Sequence, residues 1–317
     1  MDILQSCHFV AQRSRDVMIK KDKLGSYCFD FHLQGMKHWS QESPFNLGKL
    51  EGDSMLNFHL VASSLAFCFW GDPKWYVEYN GQKYDGWFGL LAALGSAIEN
   101  ETPITDAKFL AGMKAGDLDK ILQKDAKIPL FKERVQILRE VGTVLKGKFG
   151  GKFSNLIEGS GGDAVSMLEA VISNFPSFQD KSRYLKQDVL FYKKAQLLVA
   201  DTPVLVRLAG GRMSMRNIDL LTASADYKLP MVLRSLGILE YSPRLAKKVD
   251  NMEDIKKDSD LEVEIRANTV YAIHLMADEI RKRLDVTERN INDHLWLLGQ
   301  KKYPGEKPYH RTRTTAY

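Results

Sequence analysis

Two adjacent lysines in an apolar run, an acid just ahead of a helix, and two arginines near the last residue are the groups whose surroundings invite chemistry. The first set lies in Val189-Leu190-Phe191-Tyr192-Lys193-Lys194-Ala195-Gln196-Leu197-Leu198-Val199-Ala200. As one helix, this run puts Lys193 on a face with Val189, Leu197 and Ala200, and Lys194 beside Leu190, Leu197 and Leu198. A helix apolar nearly all round is buried, yet lysine is almost never buried without a partner. Either both ammoniums snorkel out at the rim of the core or a buried site holds them. The second set is Ala225-Asp226-Tyr227-Lys228-Leu229-Pro230. Pro230 suits the first turn of a helix and Gly237 its end, so Asp226 falls at or just before the helix start. There the macrodipole and free N–H groups favour its ionised form. It is either a plain cap or a carboxylate held ready to stabilise positive charge. The third set, His310-Arg311-Thr312-Arg313, is either a frayed basic tail or a strap whose two guanidinium forks meet phosphate.

The elements that must position these groups are mostly helical. An opening helix is predicted from Ile3 to about Arg15, and an apolar stretch from Leu56 to Trp70. Trp75 to Tyr79, then Asn80-Gly81, then Gln82 to Tyr84 read as a β-hairpin, the main strand content expected. Helices follow over Trp87–Glu99, Ala107–Met113, Pro129–Lys146 and Ala164–Phe175, with Asp106 and Asp163 as caps. Ser242-Pro243 announces a short helix over Arg244–Val249, which with the helix around Met231 makes a tight helical hairpin. That unit is similar to the helix-hairpin-helix of some DNA glycosylases, without the Gly-x-Gly run that grips duplex phosphate. The whole reads as one compact, mostly α-helical domain over residues 1–317 with a small β-hairpin insert.

Composition narrows the function. Forty-five basic and 40 acidic residues give a net charge of +5, spread along 317 positions. That suits a small anionic ligand better than a polynucleotide, which selects a clustered basic surface. Cys7, Cys28 and Cys68 are far apart and make no C-x-x-C pair, which argues against a disulfide framework or structural zinc. The first residues lack a signal pattern, and the longest apolar stretch is too short to span a bilayer. A cytoplasmic protein is expected.

Gln12-Arg13-Ser14-Arg15-Asp16-Val17, Phe67-Cys68-Phe69-Trp70 and Pro103-Ile104-Thr105 are followed by Tyr192 to Asp201. Ala225 to Leu233, Glu262 to Ala267, Leu295-Trp296 and His310 to Thr314 complete the series. In that order, over almost the full chain, these segments resemble the queuosine 5′-phosphate N-glycosylase (queuosine salvage) family. The resemblance implies a helical fold related to helix-hairpin-helix DNA glycosylases and no metal; a monomer without cofactor is expected. It also implies hydrolysis of queuosine 5′-phosphate to free queuine for salvage into tRNA. Its small-molecule partner is a nucleoside 5′-phosphate, with no stable nucleic-acid or membrane partner. By matching motif, Asp226 is the catalytic carboxylate and Lys193 its active-site companion.

Breaking a ribosyl C–N bond builds positive charge at C1′, which a fixed carboxylate beneath that carbon stabilises. A neighbouring ammonium either keeps the acid ionised or binds the 5′-phosphate, and Lys193, Lys194, Arg311 and Arg313 are the candidates. A 7-deaza base has no N7 to protonate, so it must be held firmly by stacking, for which Trp70, Tyr227, Tyr271 and Trp296 are candidate walls. The chain departs from the family pattern at Ser224, where Phe is expected. Ser63, Ala66, Asn292 and Leu297 also stand where polar or acidic residues are expected. Ser224 therefore enters the expected substrate-binding set as an altered contact. A catalytically silent nucleotide-binding homologue is the alternative, and a polynucleotide-acting protein ranks last.

Overall fold

The computed structural model describes residues 2–32, 37–122, 126–302 and 305–317. It opens with α1 (Ile3–Ala11), which Asp2 starts by accepting from the Leu4 N–H. The helix stops at Ala11, short of the predicted Arg15. The N–H groups of Arg15, Asp16 and Val17 turn instead to the Glu264 carboxylate at 3.0, 2.7 and 3.2 Å, a charged acceptor stronger than a helix carbonyl. Next come β1 (Val17–Ile19), α2 (Lys21–Phe29) and α3 (Gly52–Ser64), the last buried continuously from Met55. The hairpin predicted at Asn80-Gly81 forms from β2 (Tyr76–Tyr79) and β3 (Gln82–Asp85). Both turn residues take positive φ, 50° and 74°, the twist that suits a two-residue hairpin turn.

Then follow α4 (Gly86–Glu99), α5 (Ala107–Ala111), α6 (Ala115–Leu122), α7 (Phe131–Lys148), α8 (Phe153–Gly159) and α9 (Ala164–Asn174). Asp106 and Asp163 cap α5 and α9 as predicted, accepting from the Phe109 and Ser166 N–H groups. A second hairpin, β4 (Lys181–Tyr184) with β5 (Gln187–Leu190), has no sequence announcement, because Leu185 and Lys186 occupy its left-handed turn (φ 47° and 70°). It also corrects the lysine helix. Val189 and Leu190 belong to β5, Tyr192 is left-handed, and α10 (Lys193–Leu208) begins at Lys193 itself. Lys193 and Val189 therefore share no helical face.

The remaining elements are α11 (Lys228–Ser235), β6 (Leu239–Tyr241), α12 (Pro243–Asp250), α13 (Asp260–Arg281) and α14 (Glu288–Leu298). Ser242 caps α12, with Pro243 in its first turn. The link from α11 to α12 is not the bare turn of a helical hairpin. It contains β6, which pairs antiparallel with β1, Val17 opposite Tyr241. Three two-stranded sheets thus accompany the helices among the described residues.

Two large apolar cores hold these elements. One gathers α3, α4, α7 and α10, while the other gathers β1, β6, α11, α13 and α14. Trp296 and Tyr309 pack against both, so the seam between the cores passes them. Among the described residues no helix is long and apolar enough to cross a membrane.

Candidate active site

At this seam lies a cavity of about 1090 Å³, counting the space at its mouth. Lys193, Ser224, Asp226, Tyr227, Trp70 and Trp296 all line it. Residues from four separate stretches of sequence are brought together.

The α10 start explains the two lysines. Tyr192 gives no capping bond. Instead Asp180 accepts from the Lys193 N–H through its carboxylate (3.1 Å) and from Phe191 and Tyr192 through its carbonyl (3.0 Å each). Both ammoniums are buried, which rejects the snorkelling alternative. Lys193 Nζ donates to the Ala66 carbonyl and Lys194 Nζ to the Ser64 carbonyl, each at 3.0 Å. The fully buried Arg134 adds bonds to the Leu65, Phe67 and Cys68 carbonyls at 2.6–3.1 Å. Three cations therefore clamp one run of main-chain oxygens where α3 has ended and cannot satisfy them itself. Burial lowers the Lys193 ammonium below the lysine range, while the Asp226 charge pulls it back up. Burial, reinforced by Lys193, brings Lys194 down to about 7. Positive charge in the first turn of a helix adds to the same strain.

Asp226 is a cap and more. Its Oδ1 accepts from the Lys228 and Leu229 N–H groups at 2.8 and 3.0 Å, while Oδ2 accepts from none of the described residues. Burial and the Asp226 charge push the Tyr227 hydroxyl well above the usual phenol range, so its ring lines the cavity as a neutral phenol. The loop carrying Asp226 is anchored by Arg266, whose Nε donates to the Ala225 carbonyl at 3.2 Å. The same guanidinium grips Asp180 through two bonds of 2.9 and 2.6 Å. It lies between the Phe191 and Tyr317 rings, 3.9 and 4.2 Å from their centroids. One buried ion pair thus ties the backbone of Lys193 to the backbone leading into Asp226.

A polar network not predicted from sequence completes the lining. Arg289 donates to Asp293 (2.9 Å) and Ser224 Oγ (3.2 Å) and lies 3.7 Å from Asp201. Asn292 accepts from the Ser224 N–H and donates to Asp293, both at 2.9 Å. Asp201 accepts from the Trp39 indole at 2.9 Å and contacts His38 at 3.3 Å. Burial works to raise the Asp201 carboxyl, but the His38 hydrogen bond and nearby positive charge outweigh it and hold it at about 2. Burial raises the Asp293 carboxyl; Arg289 opposes this and Asp201 adds to it. A signal for Asp201 was present: Lys193, Leu197 and Asp201 recur every four residues, and all three line the cavity.

Four expected binding residues lie elsewhere. Tyr271 stacks on His8 at 4.4 Å and borders a separate surface groove, because α13 turns that position toward α1. Lys194 points into the core between Phe67 and Phe178. Arg311 and Arg313 lie over the Trp70 ring, 5.6 and 5.0 Å from its centroid, and Arg313 faces Asp254. The strap they belong to is not frayed: Ile255 donates to the Arg311 carbonyl and Cys68 to that of Tyr317. Among the described residues no group of three or more His, Cys, Asp or Glu is arranged to hold a metal ion.

In class, this is a helical protein with a carboxylate and a buried ammonium in one aromatic-walled ligand cavity. A family model described as queuosine salvage protein matches residues 47–317. The queuosine 5′-phosphate N-glycosylase/hydrolase of Sphaerobacter thermophilus is 36% identical over 100% of this chain and 98% of its own length. The Mus musculus protein of the same name is 32% identical over 99% and 98%, and that of Schizosaccharomyces pombe 28% over 96% and 94%. The chain belongs to the queuosine salvage protein family.

Proposed function

We propose that this protein hydrolyses the N-glycosidic bond of queuosine 5′-phosphate and releases queuine, with Asp226 as the catalytic carboxylate and Lys193 as its companion. The observation that carries this is the shared cavity: Asp226, with an oxygen left over from capping, and Lys193 both line it. As the C1′–N bond breaks, its electron pair leaves with the base and positive charge grows at C1′, facing Asp226 Oδ2. Water adds to C1′ and gives its proton to Asp226. The departing base takes a proton from the Lys193 ammonium, which burial has made more acidic. Asp226 then gives its proton to water in the cavity and Lys193 takes one from it, which resets the site. Tyr227, Trp70 and Trp296 hold the base, and Ser224 touches it within the Arg289 network. Base, ribose 5-phosphate and both protons are then accounted for.

The protein acts as a single 1–317 domain, a cytoplasmic monomer, on a small-molecule nucleotide rather than a polynucleotide. Kinship with helix-hairpin-helix DNA glycosylases is part of the same proposal. An acid at the head of α11 followed by the short α12 supports it, and the intervening β6 departs from it. Mass-spectrometric detection of free base, with queuosine 5′-phosphate offered beside its nucleoside and ordinary nucleotides, tests the activity. Asp226→Asn abolishes release while retaining ligand binding; undiminished release from that variant refutes the mechanism.

A further inference from the structure

Along α14 the unsatisfied acceptor and the incompletely satisfied cation of the cavity lie at opposite ends. Asn292 and Asp293, then Trp296 and Leu297, then Gln300 just beyond the helix all line it. At 1.5 Å per residue the first and last lie about 12 Å apart along that wall. At the Asn292 end the carboxylates of Asp293 and Asp201 reach the cavity. Asp201 is already engaged by Trp39, His38 and Arg289. Asp293 Oδ1 takes the Arg289 and Asn292 bonds, which leaves Oδ2 without a donor among the described residues. At the Gln300 end the Gly299 carbonyl holds the Lys228 ammonium at 2.9 Å, and among the described residues two of that ammonium's three protons are left for a ligand. Lys74 and Asp85, paired with each other, both line the same cavity.

We propose that this separation of charge fixes which way round the nucleotide lies, with Asp293 as the specificity-determining residue for the substituent on its base. The inference rests on the nucleotide-hydrolase function above. The 5′-phosphate lies toward Lys228 and Lys74. The 7-aminomethyl arm of the base, a secondary amine that carries positive charge and bears a hydroxylated ring, lies toward Asp293 and Asp201. The reverse placement would set a phosphate dianion against two carboxylates and a cation against Lys228. Arginines 311 and 313 lie over the Trp70 ring and are not among the residues that line the cavity. A cation beside Asp293 also relieves the like-charge push that Asp201 exerts on it.

The test measures Kd on the Asp226→Asn chain, alone and combined with Asp293→Asn or Lys228→Met. Asparagine at 293 keeps an oxygen for Arg289 and Asn292 and removes only the charge. Three nucleotides and one nucleoside serve as probes: queuosine 5′-phosphate, 7-aminomethyl-7-deazaguanosine 5′-phosphate, the armless 7-deazaguanosine 5′-phosphate, and queuosine. Asp293→Asn weakens the two amine-bearing nucleotides about tenfold more than the armless one, about 1.4 kcal/mol. Lys228→Met erases the preference for queuosine 5′-phosphate over queuosine, and Lys228→Arg restores it. Equal losses on all three nucleotides, or a nucleotide preference that survives Lys228→Met, overturn the assignment. Absence of base release by the unaltered chain would instead refute the hydrolase function, and the Kd ratios would still read the orientation.

Discussion

The two sides of the cavity are held in place differently. On the Lys193–Asp226 side each functional group is tied to main chain: Nζ to the Ala66 carbonyl, Oδ1 to the Lys228 and Leu229 N–H groups. Those backbones are joined in turn by the Arg266–Asp180 pair. On the α14 side most ties run between side chains, from Arg289 to Asp293 and Ser224 and from Asn292 to Asp293. Main-chain ties persist when neighbouring side chains change, whereas a side-chain network is rewritten by each substitution within it. In the proposed mechanism, reaction geometry rests on the first kind of support and ligand discrimination on the second.

Substitutions on the main-chain-tied side should therefore cost the most. Asp226→Asn keeps an oxygen for the cap, so it lowers kcat by about 10³-fold or more with little change in Tm. A matching fall in Tm would mean that capping was the larger role. Arg266→Met breaks the buried pair and leaves the Asp180 carboxylate only the Lys193 N–H, which costs about 3–5 kcal/mol in urea unfolding. Adding Asp180→Leu recovers much of that stability but not the rate. A double variant with full kcat would disconnect the pair from catalysis.

The pH dependence of stability gives a smaller and more pointed signal. The Lys194 value of about 7 in the folded chain lies below its ordinary 10.5. Between those values the unfolded chain binds a proton that the folded chain lacks, so this site's contribution to stability rises as pH climbs from about 7 toward 10.5. Lys194→Met flattens that rise in urea titrations; an unchanged slope would place the lysine's charge in solvent. The smallest effect belongs to Tyr271→Ala, which leaves kcat/KM within about twofold because its partner is His8, outside the cavity. A large rise in KM would return Tyr271 to the binding wall.

The legible parts of the sequence were those with a local cause. Asn80-Gly81 sets its own hairpin, and Asp106, Asp163 and Ser242 cap their own helices. Asp226 stood out by its place before Pro230, although local pattern could not say that one oxygen would cap and the other remain over. The illegible parts depend on distant partners. The chain leaves α1 short of Arg15 because Glu264 captures the Arg15, Asp16 and Val17 N–H groups, β1 finds β6 across most of the chain, and α10 starts at Lys193 because Asp180 meets it there. Trp39, Asp201, Arg289 and Asp293 form their network across three regions of sequence. The arginines of the last strap look alike in sequence whether they meet phosphate or, as here, an indole.

The bond from Lys193 to residue 66 ends on a carbonyl oxygen, which every amino acid possesses. Positions 63 and 66, where this chain carries serine and alanine, can thus be exchanged in evolution without unseating the ammonium. Under the proposed function, new base preferences can arise there by single mutations while descendants keep the Lys193 bond.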